Sequence, residues 1–254
     1  GGLGVSLFER LQSLDTPSAF LDVQHRMHPS ISAFPSAEFY GGRLLDGPAV
    51  SAGRPDVPFP WPVPHQPTFF YHVDGAEHRT DQGSYSNGAE AAVVVACVER
   101  LLKEGAFPEE VGVVAMYDAQ RCAIESALHN PNVKVRNVDA FQGQERPFIV
   151  LSLTRSNQEK RLGFIADSNR INVALTRAQH GLIVVGDAKT ISKAPMWRRF
   201  LQHYSASGAV VHGRTLEKLQ KLDVEFSASA NSAVTLAAFV RLAAAVPVEA
   251  RAGG

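Results

Sequence analysis

Three short polar segments carry the residues best suited to chemistry in this sequence. They are QHRMH at residues 24–28, VDAFQGQE at residues 138–145 and NVALTRA at residues 172–178. Two of the segments contain an arginine, Arg26 and Arg177, whose rigid set of donors fits phosphate oxygens and stays charged at every working pH. Each segment lies beside a predicted strand, and open parallel sheets bind ligands at the carboxyl ends of their strands. We therefore expect the segments to lie at such ends and to suit a nucleoside triphosphate.

The two arginines also have an ordinary explanation. Most arginines are solvated surface charges, and Arg26 and Arg177 would then pair with surface carboxylates such as Asp22 or Asp167. From spacing alone, this explanation is the better of the two.

Metal and nucleophile chemistry receive less support. His25 and His28 form an H-x-x-H pair, but no third ligand lies at a suitable spacing, so we do not expect a metal site. Asp187 ends an apolar run like a magnesium-binding carboxylate, yet Ala188 follows it and a turn residue is the better interpretation. The sequence contains no G-x-S-x-G, no G-x-x-x-x-G-K-[ST] and no apolar run ending in Asp-Glu. It therefore lacks a nucleophile elbow, a phosphate-binding loop and the acidic pair that accompanies that loop.

The elements that must position these residues alternate between strand and helix patterns, which predicts a mostly parallel sheet in a three-layer α/β sandwich. Several predicted strands, such as FIVLSL and LIVV, are continuously apolar, as expected of strands covered on both faces. We predict helices over residues 5–14, 29–40, 87–104, 119–128, 168–178 and 196–204. We predict strands over residues 20–23, 68–73, 111–115, 133–138, 148–154, 181–185 and 209–211.

The composition is that of an ordinary folded domain, with 45% of 254 residues hydrophobic and 20% charged. The 25 basic and 25 acidic residues balance, which excludes a polybasic mode of nucleic-acid binding but not a local basic groove. We expect one domain over residues 1–222, with a proline-rich excursion at 47–67, and a low-complexity tail at 223–254. Cys97 and Cys122 lie in apolar runs, which predicts reduced core residues of an intracellular protein. No run reaches the roughly 20 apolar residues of a membrane helix, so we expect no membrane partner.

Taken together, the three segments resemble the C-terminal motor lobe of superfamily 1 helicases, and in particular the eukaryotic nonsense-mediated decay RNA helicase and its relatives. LDVQHRMHPSISAFPSAEFYGGRL resembles the family's Q-Y-R-M-H-P segment and the helix after it. VDAFQGQE resembles motif V, and RINVALTRAQHGLIVVGD resembles motif VI with its strand. SKAPMWRRFLQHY continues the similarity, which runs from about residue 2 to about residue 222. Three motifs in this order are too specific for a chance match.

The resemblance implies a fold and a reaction. The fold is a RecA-like α/β lobe of the P-loop NTPase type, here the second helicase lobe, without a P-loop of its own. In the family, ATP and Mg²⁺ are held mainly by the first lobe, and the second lobe supplies arginines across the cleft. Arg26 and Arg177 would accordingly contact the γ-phosphate as arginine fingers, which reverses the preference drawn from spacing alone.

The same resemblance assigns four further residues to the nucleotide, namely His25, Gln142, Gly143 and Glu145. Glu145 would take a ribose hydroxyl, and Gln142 with Gly143 would form the turn that couples nucleotide to RNA. His25 stands where the family has a tyrosine that covers the adenine. A histidine ring is smaller and becomes charged near pH 6.5, so we expect weaker or pH-sensitive nucleotide binding.

Single-stranded RNA, or alternatively DNA, is the nucleic acid that the resemblance implies. Gln120 is retained in AMYDAQ, where the family has T-P-Y-x-x-Q, whereas the threonine hydroxyl is lost. Asn137, Thr154 and Arg155 are further candidate contacts near the predicted strand ends. Binding would be dominated by phosphate contacts and would weaken steeply with salt. The other implied partners are the first lobe of the same parent and RNA-decay factors, in the cytoplasm or alternatively the nucleus.

Three hypotheses remain open at this point. The chain is either the motor lobe of a longer helicase acting in nonsense-mediated decay or related RNA surveillance, and inactive alone because Walker A and B are absent. Or it is a stand-alone, catalytically inactive RNA-binding module. A third option is a decayed gene copy, which its abrupt ends and low-complexity tail suggest. A Walker A motif encoded upstream of Gly1 favours the first.

Overall fold

The computed structural model describes residues 7–14, 16–51, 57–159, 161–213 and 215–224. Helices in these residues are α1 (Leu7–Ser13), α2 (Pro29–Tyr40), α3 (Gly88–Lys103), α4 (Asp118–Leu128), α5 (Ser168–Leu175), α6 (Ala188–Ile191) and α7 (Pro195–Ala206). Short 3-10 helices occupy Pro48–Ser51, Pro108–Glu110, Asp139–Phe141, Gly163–Ala166 and Leu216–Lys218.

The strands form one large sheet and two small ones. They are β1 (Val23–Gln24), β2 (Leu45–Asp46), β3 (Thr68–His72), β4 (His78–Arg79), β5 (Tyr85–Ser86), β6 (Val111–Ala115), β7 (Lys134–Asn137), β8 (Arg146–Ser152), β9 (Ala178–Gly186), β10 (Val210–His212) and β11 (Gln220–Lys221). The large sheet has the order β11-β10-β3-β9-β8-β6-β7 and is parallel except for the β10–β11 pair. The small sheets pair β1 with β2 and β4 with β5.

The connections place helices on both faces of the sheet. The chain runs from β3 through α3 to β6 and through α4 to β7, in one direction across the sheet. It then runs from β8 through α5 to β9 and through α7 to β10, in the opposite direction. Because parallel crossovers are right-handed, α3 and α4 cover one face while α5 and α7 cover the other. This explains why every residue of β3 and β6 is buried.

Helix α2 carries the first polar segment and is anchored on α7. Pro29 begins the helix and Gly41 ends it in the left-handed conformation, with φ of 61°. The ring of Phe34 packs edge-on against Phe200 with centroids 5.0 Å apart. Arg199 adds an ion pair with Glu38 through two guanidinium nitrogens. The residues before α2 are therefore fixed relative to the sheet.

The predicted α/β sandwich and mostly parallel sheet are confirmed. The helix at 29–40 and the strand at 111–115 have the predicted bounds. The predicted helix at 168–178 is too long, because it ends at Leu175 and β9 already begins at Ala178. The predicted strand at 20–23 is also wrong in its bounds and its sheet. The structure has a two-residue strand, Val23–Gln24, which lies outside the large sheet.

Some predictions fall partly outside the described residues. The positions 52–56 of the proline-rich excursion and 225–254 of the predicted tail are among those not described. Both cysteines are free thiols, and Cys97 is buried as predicted. The prediction for Cys122 is wrong, because it lies on the outer side of α4 and is exposed.

Candidate functional site

Arg26 brings the three polar segments together. It lies between β1 and α2, with its side chain 34% exposed. Its Nε donates to the carboxylate of Glu145 in the second segment, and its Nη1 donates to the carbonyl of Thr176 in the third, at 3.1 Å. One guanidinium therefore joins segments that are 119 and 150 residues away along the chain.

The loop that carries Arg26 is shaped by its own side chains. Gln24 Oε1 accepts from the backbone N–H groups of Arg26 and Met27 at 2.8 and 2.7 Å. The ring Nδ1 of His28 accepts from the backbone of Ser30 at 2.9 Å and caps α2. His28 thus has a capping role, and the described residues contain no cluster of three or more possible metal ligands.

Arg177 lies in the junction between α5 and β9. Its Nε donates to the carbonyl of Val173, its Nη1 to the carbonyl of Gln144 and its Nη2 to the hydroxyl of Thr176, at 2.9, 3.3 and 3.0 Å. Partial burial and then the charge of Arg26 lower the pKa of Arg177 from its ordinary value. Two guanidiniums therefore repel each other here, and within the described residues Arg177 forms no ion pair with a carboxylate.

Glu145 is a carboxylate close to both arginines. Gln179 Nε2 donates to its Oε1 at 2.9 Å, while Arg26 takes its other oxygen. The cluster of Arg26, Arg177 and Glu145 carries two positive charges and one negative charge, so its local field favours an anion. The alternative partners for the arginines, Asp22 and Asp167, form no ion pair with either of them. A phosphate group fits this cluster on charge and on donor type.

The second segment reaches Glu145 through a tight turn. Asn137 Oδ1 accepts from the backbone of Ala140 at 2.9 Å and starts the 3-10 helix Asp139–Phe141. The exposed Gln142 follows, and Gly143 then takes a left-handed conformation with φ of 78°. These residues lead the chain from the end of β7 back to the start of β8.

His25 packs against a glycine that leaves room for its ring. A Cβ atom at Gly47 would lie 2.4 Å from two atoms of the His25 imidazole. His25 is nevertheless an exposed residue. The structure thus places an exposed planar side chain one residue before Arg26.

The cluster lies at the opposite edge of the sheet from the one that we expected. Arg146 pairs with Ala178 at the first residues of β8 and β9, and Glu145 and Arg177 immediately precede them. The two arginines therefore lie at the amino ends of these strands, and the expectation of the carboxyl ends is wrong. The reason is that the chain turns back after β7, so that Glu145 no longer lies where that strand ends.

Three of the four candidate nucleic-acid residues are buried at the carboxyl edge. Gln120 is 0% exposed, accepts from the backbone of Asn87 at 2.7 Å and donates to Ser152 Oγ at 3.1 Å. Thr154 is also 0% exposed and has a φ of 72°, a strained value for a β-branched residue. Arg155 is 4% exposed. In this structure each of these side chains is enclosed by protein, so their assignment to nucleic-acid contact stays a prediction that would require them to become exposed.

Arg155 instead forms a buried ion pair that sequence reasoning missed. Its Nε and Nη2 donate to the two carboxylate oxygens of Glu77 at 2.9 and 3.0 Å, and its guanidinium lies 4.1 Å from the ring centroid of Tyr85. Burial alone would raise the pKa of Glu77, but hydrogen bonds from Arg155 and Asn157 lower it below its ordinary value. The pair fastens the β4–β5 hairpin to the end of β8, and no local pattern around Glu77 indicated it.

Glu90 is a second residue that the sequence analysis missed. It lies in the first turn of α3, is 0% exposed and accepts from Ser152 Oγ and the backbone of Thr154, both at 2.7 Å. Burial raises its pKa to about 7. Its helical position among alanines and valines was the available signal, because it places a carboxyl group on the apolar face of α3.

Asp187 has a structural role at a turn, in agreement with its interpretation as a turn residue. Its carboxylate caps α6 by accepting from the backbone of Lys189 at 2.9 Å and also accepts from the hydroxyls of Thr190 and Ser156.

Within the described residues, every helix is too short or too polar to span a lipid bilayer.

Sequence comparison identifies the family of this chain. A family model described as an AAA domain matches residues 3–189. The chain belongs to the AAA domain family. Together with the mostly parallel sheet, this membership supports the RecA-like fold class implied by the resemblance.

The chain is also similar to parts of longer proteins. The chain is 43% identical over 236 residues to the regulator of nonsense transcripts 1 homolog of Neurospora crassa, which covers 89% of the chain and 22% of that protein. It is 41% identical to the Arabidopsis thaliana homolog, with 89% and 19% covered, and 41% identical to ATP-dependent helicase upf1 of Schizosaccharomyces pombe, with 87% and 25% covered. The chain thus spans about a fifth to a quarter of the length of these relatives. The resemblance to this family is confirmed.

A solved structure, the C-terminal domain of a possible DNA helicase from Lactobacillus plantarum WCFS1, is also similar. It has a TM-score of 0.41 and 13% sequence identity, and the match covers 69% of this chain and 93% of that one.

Proposed function

We propose that this chain is the C-terminal RecA-like motor lobe of an ATP-dependent RNA helicase, or alternatively a DNA helicase, that acts in nonsense-mediated decay or related RNA surveillance. The observation that carries the proposal is the meeting of Arg26, Glu145 and Arg177 at one edge of the sheet. Relatives named as ATP-dependent helicases or regulators of nonsense transcripts support it.

The cluster suits a triphosphate bound on another lobe. Arg26 and Arg177 offer donors and an excess positive charge, and the sequence lacks a phosphate-binding loop of its own. An arginine supplied across an interface stabilises the charge of the phosphoryl-transfer transition state and is worth roughly 10³–10⁵ in rate. We propose that the first lobe of the same parent binds ATP and Mg²⁺, and that these two arginines complete the site.

The family resemblance supplies the remaining nucleotide contacts that we propose. Glu145 would bind a ribose hydroxyl, and His25 would present its exposed face to the adenine. Gln142 and Gly143 form the turn between β7 and β8, where movement at the nucleotide would be passed to bound RNA. Of the candidate RNA residues, the half-buried Asn137 is the one whose side chain reaches the surface. RNA-decay factors would be further partners, in the cytoplasm or alternatively the nucleus.

The test is RNA-stimulated ATP hydrolysis by this chain joined to a first lobe from its own upstream sequence. We expect Arg26→Ala and Arg177→Ala each to lower turnover by at least 10³-fold, as the loss of an arginine finger does. Arg170→Ala is the matched control, because Arg170 is a partly exposed arginine whose ion pairs are with Asp139 and Asp167 and not with Glu145. The isolated 254-residue chain should not hydrolyse ATP.

Three results would contradict the proposal in different ways. Equal losses in the Arg170→Ala control would show a general charge effect. Magnesium-dependent turnover by the isolated chain, abolished by Arg177→Ala, would show a complete site on one lobe. RNA binding without any turnover in the joined protein would favour the alternative, a catalytically inactive RNA-binding module.

A further inference from the structure

The ion pair between Arg26 and Glu145 uses donors that a phosphate group would need. Arg26 gives its Nε to the Glu145 carboxylate and its Nη1 to the Thr176 carbonyl. Arg177 differs, because its donors bind uncharged carbonyl and hydroxyl oxygens. Of the two arginines, Arg26 is therefore the one whose charge is already neutralised by a side chain of the protein.

The pair is built so that it can open. Its two side chains are 34% and 39% exposed, and ion pairs with this much solvent access contribute little free energy. Glu145 also has a second partner, because Gln179 Nε2 donates to its Oε1 at 2.9 Å. The carbonyl of Gln179 accepts from the backbone of His28 at 2.8 Å, which ties this partner to the Arg26 loop. The carboxylate would therefore stay in place if Arg26 moved away.

We propose that Glu145 is an exchangeable counter-ion for Arg26. An entering polyphosphate displaces the carboxylate from the guanidinium, and Gln179 keeps the released carboxylate beside the site. Because the intact pair must be broken before phosphate can bind, its presence lowers the affinity of the two arginines for a phosphate chain. The same exchange frees a Glu145 oxygen for another hydrogen bond. This inference rests on the proposed function, because it assumes that the cluster binds phosphate.

The experiment is a titration of the 254-residue chain with sodium tripolyphosphate at low ionic strength, followed by the NMR resonances of the arginine Nε–Hε groups. We expect the Arg26 and Arg177 resonances to shift in the unmodified chain. Glu145→Gln should bind tripolyphosphate about two- to fivefold more tightly, which corresponds to the loss of an exposed ion pair. In an Arg26→Ala background the same change should give no such gain.

Asp139→Asn is the matched control. Asp139 is a carboxylate of the same segment that pairs with Arg170, and its removal tests whether any lost negative charge tightens binding. We expect no change in affinity for this variant.

The outcomes separate the inference from the proposed function. If neither arginine resonance responds in the unmodified chain, the phosphate site and the exchange are both wrong. If both respond but Glu145→Gln leaves the affinity unchanged, the exchange alone is wrong. A gain that persists in the Arg26→Ala background, or that Asp139→Asn reproduces, also overturns the exchange, because the carboxylate then acts only through its long-range field.

Discussion

Glu90 gives this fold a measurable dependence of stability on pH. Its Oε1 accepts two hydrogen bonds, from Ser152 Oγ and the backbone of Thr154, whereas its buried Oε2 has no partner among the described residues. An ionised carboxylate would leave that oxygen charged and unsolvated. Burial, opposed by the two hydrogen bonds and aided by the charge of Asp187, raises the pKa of Glu90 from 4.5 to about 7.

The sign and size of the effect follow from this shift. The folded protein binds a proton at Glu90 more tightly than the unfolded chain does, so stability falls as pH rises between the two pKa values. Below pH 4.5 this contribution is fully present, and above about pH 7 it is lost. At 1.36 kcal/mol for each unit, the loss is about 3 kcal/mol.

The assay compares the free energy of unfolding of Glu90→Gln with that of the parent, by urea titration from pH 4.5 to 8. The amide resembles the protonated acid, so we expect the variant to gain about 3 kcal/mol relative to the parent over this range. Other buried groups, such as His203 with a pKa lowered to about 4, act on both proteins and cancel in the difference. Glu125→Gln, which removes an exposed ion pair with Arg121 on α4, should change the difference by less than about 1 kcal/mol. A flat difference for Glu90→Gln would refute the reasoning.

Substitutions at three further positions test places where the backbone or a ring is constrained. Both Thr154→Gly and Thr154→Ala remove the buried Thr154 hydroxyl, which has no partner among the described residues, but only glycine relieves the φ of 72°. The unfolding free energy of Thr154→Gly should therefore exceed that of Thr154→Ala by about 1 kcal/mol in chemical denaturation. Gly47→Ala should displace the His25 ring and weaken ATP binding to the joined two-lobe protein, as measured by calorimetry. The melting temperature should not change, because the ring is free to swing outward. Gly163→Ala should destabilise the chain by about 1–3 kcal/mol in a thermal melt, because its Cβ would lie 2.5 Å from the Tyr117 hydroxyl at a φ of 58°.

The elements that could be predicted are those with local signals. Pro29 and Gly41 mark both ends of α2, and the apolar run 111–115 is a strand with those bounds. The end of α5 could not be predicted from periodicity. The hydroxyl of Thr176 caps the helix by donating to the carbonyl of Asn172 at 2.7 Å. The apolar pattern does not show this contact.

The members of the candidate site were predictable by type but not by position or burial. Arg26, Glu145 and Arg177 were identified from motifs, and the structure brings them together. Whether a polar side chain near a strand end reaches solvent depends on partners far away in sequence. Arg155 is buried because Glu77, 78 residues earlier, supplies a matching carboxylate. Sequence patterns within a short window carry no record of such a partner.

The position of the cluster at the amino edge of the sheet bears on how a bound nucleotide would be coupled to bound RNA. Strand β8 begins next to Glu145 and ends next to Thr154, so its seven residues separate the two edges by roughly 20 Å. A buried strand paired on both sides transmits little motion along its length. Helices α3, α4, α5 and α7 lie in the other connections between the two edges. The connection after β7 is instead a short exposed turn, where Gly143 is left-handed and has open space around it. If nucleotide and RNA bind at opposite edges, this turn is the segment able to change shape between them. Such a change of shape is how Gln142 and Gly143 would couple nucleotide to RNA.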